Sequence, residues 1–183
     1  ARGHPEFELH LIRKTTGTMM VGDYLGDFGP GNLVLTGSNV PHNWVTENLG
    51  GTTVCERDLV IQFAPDLLEQ AADTFPEFKL SIFPPEAFGR SWVYHGETAR
   101  RGGLLMEQIL VANGLLKFAR FLELVDMLGK TAERTPLASV DYAGRTNHLA
   151  SEQVHQAISL VLAALPGEVK MTEVADQLGL SPT

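Results

Sequence analysis

The residues best equipped for chemistry lie at the start of the chain, where His4, Glu6, Glu8 and His10 alternate with apolar residues in "GHPEFELHLI". Alternate side chains leave a strand on the same side. These four therefore share one face, and Phe7, Leu9 and Leu11 share the other. Imidazoles and carboxylates on one face can hydrogen-bond a polar ligand. The same pattern also fits a strand whose polar face meets water, and parity leaves both readings open. No nucleophile is tied to a base: Ser38 has no elbow pattern around it, and "GDFGPG" reads as a turn, not a phosphate loop. Trp44 and Trp92 suit stacking on a ligand or packing in a core or rim. Glu97, Arg100 and Arg101 read as a solvated helix start.

A second chemical signal closes the chain. In "KMTEVADQLGLSPT", Met171, Val174, Ala175 and Leu178 make one apolar helical face. Gly179 ends that helix, and Ser181 with Pro182 opens another. A helix, a three-residue turn and a second helix form the DNA-binding version of the motif. Ser181 and Thr183 fall at the start of the second helix, where free N–H groups suit a phosphate.

The elements that must position these residues follow from patterning. At 183 residues with 44% apolar and 20% charged content, the chain has ample material for a core, in one domain or two small ones. Residues 4 to about 63 read as short strands, including "FELHLI", "LVLTG" and "DLVIQF", separated by Gly, Asp and Pro, which suggests a small barrel or sandwich. "PDLLEQAADTF" reads as a short helix, and "RSWVYHG" as a strand or an irregular link. Helical runs follow at about 97–112 and 115–130, divided by Asn113-Gly114. In the second run, Leu115, Phe118, Ala119, Leu122 and Val125 form one stripe and Phe121, Leu124 and Leu128 another. Together they span an arc of roughly 220°, wider than one packing partner needs. The stripe Phe121, Leu124 and Leu128 is thus expected to meet a second copy. Residues 131–149 lose periodicity and read as a linker. Val154, Ala157, Ile158, Val161, Leu162 and Leu165 then mark a further helix, stopped by Pro166-Gly167.

Charge and cysteine content narrow the classes. The net charge is −8, and from Ser151 onward Lys170 alone faces Glu152, Glu168, Glu173 and Asp176. This is the wrong sign for gripping nucleic acid unaided. The single cysteine, Cys55, excludes an internal disulfide, reads as a small buried hydrophobe, and suits a reducing cytoplasm. No apolar run approaches membrane-spanning length.

The segment "LASEQVHQAISLVLAALPGEVKMTEVADQLGLSPT" resembles the opening of the AraC/XylS-type DNA-binding domain. "GHPEFELHLI" and "FGPGNLVLTGSNVPHNW" resemble the cupin sensor domain that precedes it in that family. The resemblance implies a mixed α and β fold. A small cupin-like β-barrel (1–64) would be followed by an α-helical hairpin for dimerisation (65–130), a linker (131–149) and the first helices of a helix-turn-helix domain (150–183). It implies an effector site lined by His4, Glu6, Glu8, His42 and Trp44. It also places His4, Glu8 and His42 at metal-ligand positions for Zn²⁺, Fe²⁺ or Mn²⁺. The first histidine of that motif falls at Arg2, which cannot ligate, so no metal is required by the pattern. The expected partners are DNA, a small-molecule effector and a second copy, without a membrane or catalysis. The DNA-binding domain is expected to continue past Thr183, and residues before Ala1 are expected to be missing. The alternative is a metal-dependent cupin enzyme of isomerase or dioxygenase type.

Overall fold

The computed structural model describes residues 4–47, 53–78 and 90–139. Its strands are β1 (Phe7–Ile12), β2 (Gly17–Val21), β3 (Tyr24–Phe28), β4 (Leu33–Thr36), β5 (His42–Thr46), β6 (Asp58–Phe63), β7 (Trp92–Tyr94) and β8 (Arg134–Pro136). Its helices are α1 (Pro65–Thr74), α2 (Gly96–Val111) and α3 (Gly114–Lys130). The strands form two antiparallel sheets, one in the order β6-β1-β4-β7-β8 and one in the order β3-β2-β5. The β2–β3 hairpin turns on Gly22 and Asp23. Gly22 sits at φ 61°, the left-handed conformation a tight two-residue turn demands.

The alternation in β1 explains the layering. Leu9 and Leu11 join Leu33, Leu35 and Tyr94 beneath Leu105, Met106, Ile109, Leu124 and Leu128 of the helices. Ile12 and Val34 point the opposite way, into a second core with Met19, Val21, Phe28 and Trp44. The five-stranded sheet is thus covered by the helical hairpin on one face and by the smaller sheet on the other. All six residues of β1 are buried. Helix α2 lies close on β4: a Cβ added to Gly102 would stand 2.5 Å from Leu33 Cδ2. Arg13 clamps Glu107 through two bonds of 2.8 and 3.0 Å, tying the end of β1 to α2. The Glu133 carboxylate accepts the Thr98 N–H at 2.7 Å, closing the start of α2, where His95 offers no side-chain cap.

Four expectations change. The described strands form two facing sheets, not a closed barrel. Strand pairing crosses the boundary expected at residue 64, because β7 pairs with β4 and β8 pairs with β7, placing Arg134–Pro136 in the sheet instead of a linker. Phe121, Leu124 and Leu128 are buried within the chain, not presented to a second copy. The wide apolar arc of α3 is divided along the helix as well as around it: the sheet's core meets the second half, while Leu115, Leu116 and Phe118 in the first half are exposed. Finally, Cys55 is exposed and not buried. The helix from Val154 and the helix-turn-helix with Ser181 and Thr183 lie outside the described residues.

Candidate functional site

Glu8 lies near the middle of β1, pointing into the space between the sheets with 7% of its surface exposed. Four groups converge on its carboxylate. The Gln62 side-chain amide, directly opposite on β6, donates to Oε2 at 2.8 Å. His4 Nε2 faces the same oxygen at 3.2 Å. His10 Nδ1 faces Oε1 at 3.2 Å, and His42 Nε2, from the start of β5, stands 3.4 Å from it. Burial alone would push this carboxyl up. The hydrogen bonds from His10, His42 and Gln62 outweigh it and hold the group well below the usual carboxylate range.

His10 sets its other nitrogen, Nε2, 3.0 Å from Asp58 Oδ2, so both ring nitrogens face carboxylates. Desolvation opposes ionisation of Asp58, but its bonds from Arg57 and His10 hold its carboxyl below the ordinary range. His42 Nδ1 lies 2.9 Å from the Val40 carbonyl, which can only accept. His42 thus has one ring nitrogen held by the backbone and the other, Nε2, turned to Glu8. Aromatic contacts frame the cluster: the His10 and Trp44 rings are 3.9 Å apart between centroids, and His4 and His42 meet edge-on at 5.2 Å. The Trp44 indole N–H is buried without a partner.

His4, Glu8 and His42 each offer a ligand atom, all within 4.8 Å of one another. Two imidazole nitrogens and a carboxylate oxygen at this spacing fit a three-ligand set for a divalent cation. The residues expected at the site are therefore brought together, with Glu6 at its rim, 43% exposed and 3.3 Å from His4 Nδ1. Sequence reading missed Asp58, Gln62 and Arg57. For Asp58 and Gln62 a signal was present in "DLVIQF", where the two share parity, but the register that sets them against His10 and Glu8 is a long-range property. A separate open cleft of about 430 Å³, lined by Met19, Tyr24, Asn32, Val93, Tyr94 and His95 among others, does not include the cluster.

No protein-family model matches the chain, and no curated protein matches it. Among solved structures the chain is similar to the AraC-like transcriptional activator CuxR, with a TM-score of 0.45 and 16% sequence identity. The match covers 97% of this chain and 58% of that one, so the chain spans little more than half the length of the structure it matches.

Proposed function

We propose that this chain is the sensing part of a ligand-responsive transcription regulator of the AraC/XylS type. The effector would bind between the sheets at His4, Glu8, His42 and Trp44. The observation that carries the reading is the buried Glu8 carboxylate surrounded by three imidazoles. An ordinary core does not need such a group, because burying a charge costs more than burying an apolar side chain of the same size. The helix-turn-helix sequence ending at Thr183 supports the DNA-binding half of the proposal.

The mechanism is a population shift. The strand that holds Glu8 on one face holds Leu9 and Leu11 against the helices on the other. An effector that prefers one setting of β1 thereby favours one setting of the hairpin. The hairpin is the proposed contact with a second copy, through the uncharged face formed by Leu110, Val111, Leu115, Leu116 and Phe118, all exposed. If a divalent metal is bound, His4, Glu8 and His42 hold it, and it supplies an open coordination position for an oxygen of the effector. That same donor set favours a second reading, a metal-dependent enzyme.

Native mass spectrometry of the chain isolated from its own host tests the site. The account expects a small-molecule adduct on the wild type that is lost from His42→Ala. An adduct retained in that variant places the ligand elsewhere. Elemental analysis separates the two readings: less than about 0.1 metal per chain after metal-supplemented growth rejects the enzyme.

A further inference from the structure

The opposite, helix-facing side of the five-stranded sheet carries polar groups that the Glu8 cluster does not use. Arg90, Trp92 and Tyr94 occupy alternate positions, with Trp92 across from Leu35 and Tyr94 across from Leu33. Each has a buried donor with no hydrogen-bond partner: Arg90 Nε, the Trp92 indole N–H and the Tyr94 hydroxyl. Six buried side-chain atoms lack partners among the described residues, and half of them fall on these three positions. Scattered defects would not concentrate this way, and each unpaired buried group needs a physical reason. Tyr94 is 2% exposed, so bulk water does not supply the missing bond.

The surrounding charge has one sign. The Arg90 guanidinium lies 5.5 Å from the centre of the Trp92 ring, and the Arg134 guanidinium lies 4.6 Å from the same centre. Arg134 stands opposite Tyr94 on β8, near enough to favour the phenol oxygen by charge and a marginal hydrogen bond, although no bond of good geometry joins them. Arg13, Arg57, Arg100 and Arg120 each have a carboxylate partner. Arg90 and Arg134 have none among the described residues, as is also true of the exposed Arg101; the hydrogen bonds of Arg90 and Arg134 go to the carbonyls of Ala138, Leu128 and Gly129. In a chain of net charge −8, two guanidiniums left without carboxylates beside three unpaired donors are a specific arrangement.

We propose that Arg90, Trp92, Tyr94 and Arg134 form an oxyanion-binding site for a small molecule carrying a phosphate or carboxylate group. Guanidinium and indole nitrogens only donate, so the ligand must accept. Charge-assisted bonds from arginine to an oxyanion are the strong class and match its geometry. The site is separate from the Glu8 cluster, since the two lie on opposite faces of one sheet.

The chain has two tryptophans, so ¹⁵N-indole labelling gives two N–H resonances, and Trp92→Phe identifies one of them. The whole chain is titrated with inorganic phosphate and, in parallel, with acetate, against sodium chloride at matched ionic strength. The proposal expects a saturable shift of the Trp92 resonance with at least one of the two oxyanions, an unmoved Trp44 resonance, and at least tenfold weaker binding in Arg90→Gln. Saturation by phosphate alone assigns a phosphate group, and saturation by acetate alone a carboxylate. A Trp92 resonance that responds to neither beyond the chloride control overturns the proposal. So does an Arg90→Gln protein, folded by its amide spectrum, that binds as tightly as the wild type.

Discussion

Glu8 is a pH-dependent element of stability. Its carboxyl is held below the 4.5 of the unconstrained group, so below that pH the unfolded chain takes up a proton more readily than the folded one. The stability Glu8 contributes is therefore fully present above about pH 4.5 and is lost as the pH falls towards its folded value. Asp58 is shifted in the same direction and adds to the loss. Urea unfolding should show a midpoint that drops between about pH 5 and pH 3 in the wild type and drops less in Glu8→Gln. Equal losses in the two proteins would mean that Glu8 is not the group responsible. At this scale much was legible. Parity put Glu8 and His10 on one strand face without saying whether that face met water; in the structure both are buried. The acceptor for His10 was not legible, because Asp58 is 48 residues away and only the pairing of β1 with β6 brings it near.

Elements long enough to show a period were readable; of the two shortest strands, β7 lay in a stretch read as a strand or a link, and β8 in one read as a linker. The helical runs divided at Asn113-Gly114 correspond to α2 and α3, whose junction Gly114 occupies φ 56°. Strands β7 and β8 have three residues each, too few for an alternation to register. They extend the sheet under the helices, and the burial of Phe121, Leu124 and Leu128 follows from a core that sequence periodicity could not place. Leu124 is fully buried, so Leu124→Ala should lower unfolding stability by about 2–5 kcal/mol in denaturant titrations. Gly102→Ala forces a methyl group against the Cδ2 end of Leu33 while gaining about 0.5–1 kcal/mol of helix propensity, so by the same measurement the net loss should be no more than about 2 kcal/mol. A larger loss would mean that the Leu33 side chain has no room to shift. Leu115 and Leu116 are 85% and 58% exposed. Under the contact proposed above, replacing both with Glu should leave a folded chain by circular dichroism while light scattering shows a monomer at micromolar concentration where the wild type is a dimer. A dimer that survives would move the contact elsewhere.

Taken as a whole, the molecule is acidic, with no described helix long and apolar enough to cross a membrane. Phosphate attraction governs non-specific affinity for DNA, so this 183-residue chain should bind duplex DNA weakly even in a low-salt gel shift. In the proposed regulator, sequence-specific contacts arise from the helix-turn-helix, and the Glu8 cluster sets when they are made. The most direct measurement is genome-wide DNA occupancy, with transcript levels, for the protein expressed from its own gene as wild type and as Glu8→Gln. The account predicts discrete promoter sites for the wild type and an altered transcriptional response at those promoters in the variant, at equal protein level. A wild-type protein that occupies no specific sites, or a variant whose regulation is unchanged, would contradict it.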